Sequence, residues 1–126
     1  MTPVLGKWYN SMDSILSSVK AYLGIPESDN YFDDNLVIQI NSIFSILRQI
    51  GCGPVEGYQI SGPSDNWDDF LQNEPEKLQV VKTYLGMRVR QIFDPPTNGT
   101  VAQALDRQVQ ELEWRISTLC DPGEQP

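Results

Sequence analysis

Apolar residues recur at helical spacing along most of this chain. Leu78, Val81, Leu85, Val89 and Ile92 form one stripe, and Val101, Leu105, Val109, Leu112, Ile116 and Leu119 form a second. Steps of three and four place each set on one helix face. Between them stands Asp94-Pro95-Pro96-Thr97-Asn98-Gly99. Proline lacks an N–H, and the residue before it is pushed out of the α region, so the helix stops there. So short a connection predicts an antiparallel helical pair with facing stripes. An earlier stripe, Met12, Ile15, Leu16, Val19 and Leu23, predicts a first helix that Ser11 or Asp13 caps and Gly24-Ile25-Pro26 ends. Residues 35–50 are the most apolar: Leu36, Ile40, Ile43, Phe44, Leu47 and Ile50 share a face, while Val37, Ile38 and Ile46 lie off it. A helix apolar on more than one side is central in its domain or covered by another chain. The central position is the leading reading for this helix, with cover from another chain partly true.

The helical period vanishes over 52–66, where Gly53, Pro54, Gly57, Gly62 and Pro63 surround Val55, Tyr58 and Ile60. Residues 55–60 read as a short extended or hairpin segment. A connection this long inside a small helical domain is unusual unless it has a function. It is therefore the leading candidate for an element that protrudes toward a partner. Trp67-Asp68-Asp69-Phe70-Leu71 predicts one helical turn, capped by Ser64 or Asp65, with Trp67 and Phe70 turned inward. Glu74-Pro75-Glu76 opens the next helix, because proline and acids suit a first turn. The predicted architecture is all-α: one domain over 1–126, a compact bundle of about four helices plus a short turn. Residues 1–10 form an arm whose Trp8 and Tyr9 pack on the core or on a neighbour. Residues 117–126 form a polar tail.

Composition narrows the function more than the fold. The 126 residues carry a net charge of −8 and no histidine. Phosphate binding is driven by Lys and Arg displacing counterions, so general affinity for nucleic acid is disfavoured. Without histidine the chain lacks the commonest metal ligand and the usual proton carrier near neutral pH. Cys52 and Cys120 have no CxxC spacing, which argues against zinc; they read as reduced thiols, with a bridge as the alternative. The start has no basic segment leading into an apolar run, so no signal peptide is expected. No apolar stretch approaches the ~20 residues that span a bilayer.

Two carboxylate clusters are the candidate chemistry: Asp29, Asp33 and Asp34, and Asp65, Asp68 and Asp69. A metal-dependent nuclease or two-carboxylate hydrolase uses such groups. Both clusters fall at helix starts, where capping and the helix dipole already account for them. The glycine and terminal glutamate of a calcium loop are missing, and there is no phosphate loop or nucleophile elbow. The reading is a protein that is not an enzyme and holds no cofactor or metal. Lys77, Lys82, Arg88 and Arg90 share the exposed side of the 75–93 segment; in so acidic a chain they are expected to meet acidic groups of a neighbouring copy.

The order of segments resembles a known family. SILSSVKAYLGI is followed by DDNLVIQINSIFSILRQIG, the GCGP turn, a loop ending in SDNWDDFL, and VKTYLGMRVRQIFDPPTNGTVAQALDRQVQELEWRI. Over residues 12–117 this is similar to the head–tail connector (adaptor) proteins of tailed bacteriophages, with WDDFL, FDPP and DRQVQELEWRI as its sharpest pieces. The resemblance implies a structural virion protein, made in the host cytoplasm and resident in the neck. It implies a homo-oligomeric ring of about twelve copies. Such a ring docks on the portal after DNA packaging and offers a platform to the next neck or tail-completion protein. Genomic DNA then passes through the channel without sequence-specific binding, and a negative lumen suits that passage. The family's terminal segments contact the portal or next ring, which puts Asp121 and Pro122 beside Trp8 and Tyr9 as interface candidates. Val37, Ile38 and Ile46, the loop residues Val55, Tyr58 and Ile60, and the basic Lys82, Arg88 and Arg90 complete the expected contact set. The alternative is a small acidic DNA mimic that inhibits a nuclease or DNA-binding protein. It predicts carboxylates strung along one face, whereas these gather at helix starts.

Overall fold

A computed structural model of the chain describes residues 14–120. Trp8, Tyr9, Asp121, Pro122, the expected caps Ser11 and Asp13, and Met12 lie outside those residues. Among the described residues the elements are helices α1 (Ile15–Leu23), α2 (Asp33–Ile50), α3 (Trp67–Phe70), α4 (Pro75–Phe93) and α5 (Gly99–Leu119). No strand accompanies them; an isolated bridge joins Ser14 to Asn66. The architecture is all-α, as the periodicities predict.

Most of the helix boundaries have an identifiable cause. Ser14 caps α1, its Oγ accepting from the Ser17 N–H at 3.2 Å. The residue is held there because Ile15 N–H donates to the Asp65 carbonyl at 2.9 Å, tying the helix start to the end of the long loop. Gly24 and Gly51 end α1 and α2 at φ 80° and 100°, a region that favours glycine. Pro75 takes the first turn of α4, and the Asn98 side chain accepts from the N–H groups of Thr100 and Val101 to start α5. The turn α3 is closed by Asn66 and Asp69 as a reciprocal capping box rather than by Ser64 or Asp65. Asp65 instead accepts from Ser61 and Gly62 within the loop.

The predicted core face of α2 is buried: Leu36, Ile40, Ile43, Phe44 and Leu47. The central element, however, is α4, which packs against α1, α2 and α5. Its buried set includes Tyr84 and Gly86, neither of which belongs to an apolar stripe. Tyr84 is admitted because its hydroxyl donates to Glu113 Oε2 on α5 at 2.7 Å, so no polar group is stranded. Gly86 is admitted because α1 lies on top of it: a Cβ there would come within 2.8 Å of Tyr22 Cγ. Ile92, placed on the core stripe by its spacing, is 54% exposed; Val101 and Leu119 of the second stripe are also exposed. These residues lie toward the helix ends, and α5 has its main contact with α4 alone.

Candidate interaction surfaces

The long loop is pinned to α2 from its own side. Asn41 of α2 grips both backbone groups of Ile60: Nδ2 donates to its carbonyl at 3.0 Å, and Oδ1 accepts from its N–H at 2.7 Å. Arg48 Nε donates to the Val55 carbonyl at 2.9 Å. Tyr58 lies edge-on to Phe44 at 5.2 Å between centroids and tilts over Phe70 at 5.5 Å. Cys52 and Ile60 are buried in the core. The loop therefore has two sides. Ile60 and the Tyr58 ring face inward, Ile60 because its backbone is clamped, and Val55 faces outward with 88% of its surface exposed. Val55 borders a shallow groove of about 490 Å³ lined also by Ser45, Arg48 and Gln49 of α2. Gly53 is required beneath it: at φ 95°, a Cβ would stand 2.5 Å from the Phe70 ring.

Of the three off-stripe residues of α2, only Ile38 is exposed, at 70%; Val37 is half-buried against the core, and Ile46 is half-buried. Outside the loop and α2, the two most exposed large apolar side chains among the described residues are Tyr31 and Trp114. Trp114, 69% exposed on α5, sits two positions past Leu112 and so turns away from the buried Val109 and Ile116. Tyr31 stands exposed before α2, its ring edge-on to Phe32 at 4.8 Å. Sequence reasoning missed both; for Trp114 the signal was an aromatic off the stripe.

The expected basic side of α4 is drawn into the fold. Arg88 lies 6.0 Å from the Tyr84 ring centroid, and its Nε is 4.0 Å from Glu113 Oε2, an ion-pair distance too long for a hydrogen bond. Lys82 Nζ stands 5.7 Å over the Trp67 ring. Lys77 pairs with Glu74 at 2.7 Å. Of this group only Arg90 is exposed.

The carboxylates are engaged locally. Asp33 accepts from Lys20 Nζ at 2.9 Å, and that ammonium also donates to the Glu27 carbonyl at 3.0 Å. Lys20 is only 3% exposed, so this pair joins α1 to α2 from a nearly dry position. Asp29 accepts from the Tyr31 N–H, and Asp69 from the Asn66 N–H. Among the described residues no three metal-ligating side chains converge, and no helix is long and apolar enough to cross a membrane. The Tyr58 hydroxyl is buried without a partner; burial, then the nearby Asp65 and Asp69, push its pKa up to about 12.

This succession of helices, from the start of α1 at Ile15 to the end of α5, lies within one known pattern: residues 15–123 match the family described as phage connector protein. The chain belongs to that family. No curated protein and no solved structure gives a match. Exposed apolar groups of this connector include Ile38 on α2, Val55 in the loop and Trp114 on α5.

Proposed function

We propose that this connector is a structural, non-enzymatic component of the virion neck, whose copies form a ring that docks on the portal and presents a platform to the next neck or tail protein. The observation that carries the reading is the family match over residues 15–123, which takes in every helix described above. A closed ring of identical copies joins two different faces of each subunit. Ile38 on α2, Val55 in the loop and Trp114 on α5 are exposed apolar groups on different elements, which suits contact through two different faces. Arg90, exposed at the end of α4, adds a cation for register against an acidic neighbour. Trp8, Tyr9, Asp121 and Pro122 are assigned to contacts along the ring axis. The net charge of −8 suits a channel through which DNA slides without sticking. The carboxylates serve as caps and ion-pair partners, which favours this reading over a DNA mimic. A virus with a stop codon early in this reading frame tests it. DNA-filled heads and free tails that fail to join are expected; normal numbers of infectious particles would overturn it.

A further inference from the structure

Cys52 and Cys120 are separated by 68 residues, yet their sulfurs meet. Cys52 occupies the turn after α2 and is 2% exposed; Cys120 follows α5 and is half-buried. Their backbones approach as well, since a Cβ on Gly51 would stand 3.7 Å from the Cys120 carbonyl oxygen. The sulfurs stand 2.6 Å apart, so a bond of about 2.05 Å needs only a small further approach. The two sulfurs are chemically unlike. The hydrogen bond between the two thiols lowers the Cys120 pKa, opposed by burial and aided by the Lys77 ammonium, whereas the same bond and burial raise that of Cys52. Cys120 is thus the more exposed and more acidic thiol, and Cys52 the buried one.

We propose that Cys52 and Cys120 form a thiol–disulfide modification site that closes on reaction with a small-molecule disulfide and staples the end of α5 to the end of α2. The Cys120 thiolate attacks one sulfur of the oxidant, its S–S bond breaks, and one small thiolate leaves with the electron pair. Cys52 then gives its proton to that thiolate or to solvent, and its sulfur attacks Cys120. The mixed disulfide breaks and the second small thiolate leaves, taking up a proton from solvent. Two protein thiols become one disulfide while one small-molecule disulfide becomes two thiols.

Oxidised glutathione added to the reduced, folded full-length chain at neutral pH tests this. The expected result is loss of both free thiols, a mass lower by two hydrogens, and one intrachain Cys52–Cys120 peptide on non-reducing mapping. The melting temperature should rise by about 10 °C, as closing a long loop restricts the unfolded chain. Dithiothreitol should reverse all of these. Cys52→Ser should hold glutathione on Cys120 as a stable mixed disulfide, whereas Cys120→Ser should take it up on Cys52 at least about tenfold more slowly. Survival of both thiols, glutathione retained on both cysteines without linkage, or linkage only between separate chains would overturn the proposal in the wild-type protein, whatever the variants do.

Discussion

Asn41 offers the sharpest test of how the loop is held. Its carboxamide satisfies the carbonyl of Ile60 at 3.0 Å and its N–H at 2.7 Å, and Ile60 is 4% exposed. Asn41→Ala removes both partners at once and leaves two main-chain groups in a poorly hydrated place. A stranded buried group costs about 1–3 kcal/mol, and Asn41 is itself only half-buried, so the lower part of that range applies to each. The expected loss is about 2–3 kcal/mol. With an unfolding entropy of roughly 2.1 cal/mol/K per residue over a chain of 126, that lowers the melting temperature by about 8–11 °C. Thermal and urea unfolding followed by circular dichroism measures it. The urea slope should be unchanged, since the area exposed on unfolding barely alters. Asn41→Asp keeps the acceptor but faces the carbonyl with a second oxygen, so it should remain clearly destabilised. Asn35→Ala, which loses only an exposed bond to Gln39, should fall within about 0.5 kcal/mol of wild type. If Asn41→Ala were as close to wild type as Asn35→Ala, the clamp would not be what holds the loop.

Other consequences are as direct. Gly86→Ala should destabilise by about 1–2 kcal/mol because its Cβ meets the root of the Tyr22 ring, yet should stabilise by up to about 1 kcal/mol in a Tyr22→Ala background, where only helix propensity is left; a double-mutant cycle in urea reads the sign change. The Tyr58 pKa is raised from 10.0 to about 12 in the folded chain, so its contribution is complete below pH 10 and is lost as pH rises from 10 toward 12. Tyr58→Phe should flatten that part of the melting-temperature profile while leaving stability at neutral pH unchanged or slightly higher, its hydroxyl having no hydrogen-bond partner. Ile38→Asp and Trp114→Ser, at exposed positions, should leave the melting temperature within a few degrees of wild type while abolishing ring assembly, as sedimentation would record.

Much of the fold is legible in the chain because it is local. Gly51 and Pro75 set helix ends through their backbones and Asn98 through its short side chain, and the α2 stripe needs only helical spacing to be recognised. Residues whose roles depend on distant partners escaped. Ser14 becomes a cap where the end of the loop ties down its neighbour Ile15, and Lys20 is buried because Asp33 and the Glu27 carbonyl receive its ammonium. Tyr84 and Gly86 make α4 the central helix, a place the apolar count gives to α2. The proposed contact set divides in the same way. Ile38 and Val55 stand outward as expected of contact residues, whereas Ile60 turns in because Asn41 reaches across to it. Arg88 points to acidic neighbours from its charge, but Glu113 of the same chain already stands beside it.

The central claim concerns assembly on the portal, and the most direct measurement is the native mass of the portal ring after mixing with excess purified chain. Binding as a closed ring predicts one complex heavier than the portal by a whole number of 14.3 kDa copies, about twelve, with few partly filled species. A portal of unchanged mass beside unbound chain would contradict the account.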